Sequence, residues 1–183
     1  MKKEVCSMST VLDVYYDNFL KHLKEFHICY DSFSRDNAKK LNHFRFSIYT
    51  QIPIDVFSHL IDVIHNAILL YDNYIVDSAN LTREDKGFMS AIKCVENILK
   101  HTKNPPEITD LITSTPQMSS NILLVTNPPQ WTTNAKLIST WNDISFLTDV
   151  LPSQRNNYNQ YLKGQELLSS LEKLEEKIRY YYR

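Results

Sequence analysis

Two glycines, Gly87 and Gly164, are all that this chain of 183 residues contains. Glycine supplies the positive φ that tight turns and phosphate-cradling loops need. Its scarcity disfavours folds built from many such turns and favours helices. Hydrophobic residues make up 43% and charged residues 22%. That is enough apolar material for a core, in a chain of the right length for one domain.

Helical periodicity is strong at both ends. Leu12, Tyr16, Phe19, Leu23, Phe26, Tyr30 and Phe33 follow one another at steps of 4, 3, 4, 3, 4 and 3, the repeat of a packed helical seam. Ser9 or Thr10 is available as its N-cap. A second helix is expected over 34–49, with Ser34 as cap and Ala38, Leu41, Phe44 and Ile48 inward. Pro53 suits a first helical position and opens the most apolar helix, read over 55–77. Phe57, Ile61, Ile64, Ile68, Tyr71 and Ile75 form one seam there; Val56, Leu60, Val63, Ala67, Leu70 and Tyr74 form its neighbour. Two adjoining seams require cover on most sides, so this helix is expected to be central. Thr82-Arg83-Glu84-Asp85 resembles a capping box with Asp in the usual Glu position. It opens a helix with Phe88, Ile92, Val95 and Leu99 inward, which ends before Pro105-Pro106.

Residues 103–135 hold five of the seven prolines. They read as an irregular crossing loop, with a helical turn near 107–112, an extended piece at 121–126, and Trp131 packed down. A further helix is expected after Thr132 or Thr133, carrying Leu137, Trp141, Ile144 and Leu151. A polar linker over 152–159 then leads to a last helix, about 158–182, seamed by Leu167, Leu171, Leu174, Ile178 and Tyr181. The expected fold is thus all-α: one domain of six to seven helices, with a helical core at 9–102, the proline-rich loop at 103–135 and C-terminal helices at 136–183.

Few motifs carry chemistry. Ile122-Leu123-Leu124-Val125-Thr126-Asn127-Pro128-Pro129-Gln130-Trp131 resembles the catalytic loop of amino-group methyltransferases, where Asn and a proline carbonyl hold the target amine. Gln130 stands where that loop has its stacking aromatic. The fold also requires a glycine-bearing turn after its first strand, within alternating strands and helices, which this chain does not provide. The segment therefore reads as a proline-stiffened loop. Asp55, His59, Asp62 and His65 share or border one stripe of the central helix, at offsets that suit metal ligation or proton relay. One stripe seldom completes a coordination sphere. No second helix shows a matching Glu-x-x-His or His-x-x-x-His set, so these residues are expected to form a solvated or hydrogen-bonded face, with no metal, no cofactor and no catalysis. Cys29 and Cys94 fall in or beside apolar seams as small hydrophobes, and His22 and His27 border the first aromatic seam. No nucleophile elbow or P-loop occurs.

Three distant cysteines give neither a disulfide framework nor a zinc motif. No uninterrupted apolar run approaches the roughly 18 residues of a membrane span, and the opening Met1-Lys2-Lys3-Glu4 does not read as a signal peptide. The expected location is intracellular, in cytoplasm or nucleus. A formal charge of −1 leaves no global field for nucleic acid, although the tail Arg179-Tyr180-Tyr181-Tyr182-Arg183 combines stacking and phosphate-binding groups. The expectation is a non-enzymatic interaction or scaffold subunit, meeting another protein chain or a second copy through helical faces. Leu167, Leu171, Leu174, Ile178, Tyr181, Arg179 and Arg183 are its candidate interface. The like-charge pairs Glu172/Glu176 and Lys173/Lys177 on that helix call for counter-charges from outside it. Two alternatives are a nucleic-acid-associated helical protein using the Tyr/Arg tail, and a metal-dependent enzyme using the Asp55/His59/Asp62/His65 stripe.

Overall fold

The computed structural model describes residues 8–43, 53–101, 112–113, 116–118, 124–126, 129–133 and 152–182. These are mostly helical, with five α-helices and almost no strand, in keeping with the all-α expectation. The helices are α1 (Met8–His43), α2 (Ile54–Asn73), α3 (Arg83–His101), α4 (Pro152–Tyr161) and α5 (Leu167–Tyr182). The helix expected after Thr132 or Thr133 lies outside the described residues.

The aromatic seam of α1 faces inward: Leu12, Phe19, Leu23, Phe26 and Tyr30 are buried, and Tyr16 and Phe33 half-buried. Ser34 does not start a second helix. α1 runs through it to His43, because no Pro or Gly interrupts the stretch and an exposed Ser is tolerated in a helix interior. The remainder of the expected second helix, including Phe44 and Ile48, lies outside the described residues.

α2 packs between α1 and α3 and also touches α5, which makes it central. After Asn73 it tightens into a 3-10 turn over Ile75–Asp77. By length and composition α2 could cross a membrane, at a mean hydropathy of 1.3, yet 56% of that window is buried inside the protein. The seam that contains Ile61 and Ile64 is unevenly buried: Ile64 is fully buried, while Ile61 is only partly so. Ile64→Ala is accordingly expected to cost about 2–5 kcal/mol in urea unfolding, the usual cost of emptying a buried aliphatic site. Ile61→Ala should cost clearly less. Equal losses would mean that α2 is rotated from this setting.

At the start of α3, the Asp85 amide donates to Thr82 Oγ1 at 3.1 Å, and the Thr82 hydroxyl donates to Asp85 Oδ2 at 2.7 Å. The capping box thus closes side chain to side chain, as suits the shorter Asp. Asp85 is buried and also meets Tyr181 Oη at 2.6 Å and Lys177 Nζ at 3.3 Å from α5. Burial alone would raise its carboxyl; hydrogen bonds from Tyr181, Thr82 and Lys177 hold it below the ordinary value instead.

The proline-rich stretch is not wholly irregular. β1 (Ile112–Thr113) pairs antiparallel with β4 (Gln130–Trp131), and β2 (Pro116–Met118) with β3 (Leu124–Thr126). Ile112 therefore belongs to a strand, not to the end of a helical turn. Ladders of two and three residue pairs leave almost no alternating pattern for a sequence to display. Trp131 is fully buried, as expected. Its backbone is held on the other side by the α4–α5 turn: Trp131 N–H donates to the Gln165 carbonyl at 3.0 Å, and Gly164 N–H to the Trp131 carbonyl at 2.9 Å. Gly164 sits at φ 72°, with Thr133 Cγ2 only 3.2 Å from where a Cβ would stand. The turn at this point needs glycine.

Candidate metal centre

The stripe on α2 divides into three environments. Asp55 lies in the first turn, where its Oδ1 accepts from the Val56 amide at 2.9 Å, a favourable place for a carboxylate. His65 turns toward α3, with Nδ1 2.9 Å from Oε1 of the buried Glu96, an oxygen shared with Lys100 Nζ at 2.6 Å. His59 and Asp62 face α1.

Helix α1 brings further potential donors to this face of α2. His22 and Glu25, three residues apart, meet His59 and Asp62, also three apart. The helices run antiparallel here, so each imidazole faces the other helix's carboxylate. His22 Nδ1 is 3.5 Å from Asp62 Oδ2, and His59 Nδ1 is 3.4 Å from Glu25 Oε2. Glu25 Oε2 also lies 3.3 Å from His22 Nδ1. Ligand atoms of His22, Glu25 and His59 all fall within 4.8 Å of one another, and the two rings are tilted with centroids 5.8 Å apart. Asp55 and His65 are hydrogen-bonded and Asp62 and His65 remain 43% exposed, as the expected solvated or hydrogen-bonded face requires; the arrival of α1 adds His22 and Glu25 beside His59.

These distances exceed the roughly 2.7–2.9 Å of a charge-assisted hydrogen bond. Neither Nδ1 makes a hydrogen bond, although both atoms are shielded from solvent. Two ligands each about 2.0–2.1 Å from one tetrahedral ion are separated by about 3.3–3.4 Å. The two spacings to Glu25 Oε2, 3.3 and 3.4 Å, match that edge. Two imidazoles with carboxylate suit zinc and its first-row neighbours, whereas calcium and magnesium favour all-oxygen shells.

The candidate interface on α5 is placed differently from expectation. Leu167, Leu171, Leu174 and Ile178 are fully buried in the protein's own core, and Tyr181 is half-buried against Asp85. The counter-charges are internal as well: Lys173 reaches Glu84 at 3.2 Å and Lys177 reaches Asp85, both on α3. The polar stretch read as a linker is helix α4, packed along α3, so it gives α5 no freedom to leave. Arg179 is bound to Glu175 at 2.7 Å; Arg183 lies outside the described residues. In the tail, the Tyr182 ring stacks on Tyr16 at 4.4 Å and its hydroxyl donates to Asp13. Burial, then Asp13, pushes its phenol up to about 12. Cys94 is a core residue whose thiol burial pushes up to about 12, which makes it a poor nucleophile.

A cleft of about 730 Å³ opens between the start of α3 and α4, lined by Arg83, Glu84, Lys86, Gly87, Asn157, Gln160 and Tyr161. Its charges are mixed and its arginine and lysine exposed, so it offers no focused chemistry. No protein family, curated protein or solved structure matches the chain.

Proposed function

We propose that this chain is a non-enzymatic helical protein that binds one first-row transition ion, zinc or a neighbour, between α1 and α2. The observation behind the reading is the convergence of His22, Glu25 and His59 within 4.8 Å, with both imidazole Nδ1 atoms buried and without a hydrogen bond. Donors from two helices turn ion binding into stabilisation, since the unfolded chain does not assemble the set.

The test is zinc titration of chelator-stripped protein, followed by calorimetry and thermal unfolding. One equivalent should bind. Zinc at 100 times the Kd should add about 2.7 kcal/mol to stability. His22→Ala and His59→Ala should each abolish both effects. Absence of uptake, or uptake that survives both substitutions, overturns the reading.

Interaction with another protein chain is the second reading, now through α1 instead of α5. Val11, Val14 and Ile28 are each more than half exposed on α1, and these apolar side chains favour it.

A further inference from the structure

Asp62 stands apart from the three-donor set. Its Oδ2 is at ligand-edge distance from His22 alone, and its side chain is 43% exposed; among the described residues His22 is its sole ionic partner. Glu25, by contrast, bridges both imidazoles. Three donors with a free position make a reactive centre, in which the ion holds and acidifies a water; four protein donors make a closed, structural one. Which of these this chain builds depends on Asp62.

We infer that Asp62 swings in as the fourth ligand, so that the centre is a closed clip fixing the register of α1 against α2. This rests on the metal-binding reading above. Three observations carry it. Asp62 follows His59 by three residues as Glu25 follows His22, so both helices present His-x-x-carboxylate and the crossed pairs at 3.4 and 3.5 Å are nearly equivalent. The carboxylate is poorly restrained, and rotation of a short side chain brings it onto the ion. Charge balance agrees: two carboxylates neutralise a divalent ion held by two neutral imidazoles, leaving no net charge at a site adjoining the core residues Phe26 and Val63.

The experiment uses the full chain loaded with cobalt(II), whose visible absorption reports coordination number, and azide as a probe ligand for a free position. The expected result is an intense tetrahedral spectrum that azide leaves unchanged. Asp62→Asn should lower cobalt and zinc affinity roughly 10–100-fold and yield a spectrum that does shift with azide. Asp62→Glu should restore the azide-insensitive form. Circular dichroism and melting of the metal-free variants should match the parent, since Asp62 is partly exposed. If the parent's spectrum already shifts with azide, the centre is open and the inference fails while the metal reading stands. If no cobalt spectrum forms at all, the metal reading fails first.

Discussion

Trp131→Ala is expected to lower stability by about 3–5 kcal/mol, the range for removing a large buried aromatic, and Tm by roughly 6–20 °C for a chain of this size. Trp131 is fully buried within the same core as α1, α2 and α5. Its backbone joins β1 on one side and the 164–167 turn on the other. An emptied indole site therefore loosens the seating of α4 and α5 as well as leaving a cavity. Trp131→Phe should be milder than volume alone implies. Indole Nε1 is buried without a hydrogen-bond partner among the described residues, and phenylalanine removes that donor. Chemical unfolding monitored by circular dichroism checks both; a loss under about 1 kcal/mol for Trp131→Ala would show that this site collapses around the gap.

Removal of 167–183 is expected to abolish the cooperative thermal transition altogether. Leu167, Leu171, Leu174 and Ile178 are fully buried, and each is worth about 2–5 kcal/mol when truncated to alanine. Their combined loss, about 8–20 kcal/mol, is as large as the roughly 5–15 kcal/mol that holds a domain folded. The shortened chain should retain some helical signal, melt without a sharp midpoint, and associate through the exposed faces of α1 and α2. A transition near that of the full chain would mean that the seam of α5 serves a partner, as the sequence reading expected.

That expectation shows what periodicity can and cannot reveal. The spacing of 4, 3, 4, 3 from Leu167 identifies the buried side of α5, and the spacing from Leu12 does the same for α1. Neither says what does the covering. A seam matched to its own bundle and one matched to another chain read alike in sequence. The charges were misleading for a related reason: Lys173 and Lys177 look unpaired along their own helix, because Glu84 and Asp85 lie some ninety residues earlier. Boundaries were legible where chemistry enforces them, as at Pro53 and Thr82, and illegible at Ser34, where a cap-forming residue sits inside a helix that nothing interrupts. The candidate metal centre is half visible in the sequence. His59 and Asp62 stand out on the α2 stripe, whereas His22 reads only as the edge of an aromatic seam, and Glu25 matches neither Glu-x-x-His order nor a pair of histidines. An antiparallel neighbour presents the reverse order. The signal was a second His-x-x-carboxylate beside an inward seam.

The stacking of Tyr182 on Tyr16, with the Tyr182 hydroxyl on Asp13 across a separation of 169 residues, has a kinetic meaning. Closing so long a loop costs conformational entropy before any contact rewards it, and chains that depend on distant contacts fold slowly. During synthesis, α1, α2 and α3 leave the ribosome with the α5 side of their core uncovered. That surface stays exposed to solvent and to chaperones until α5 emerges. The core built by α1, α2 and α3 is therefore completed only when the much later α5 is added to it.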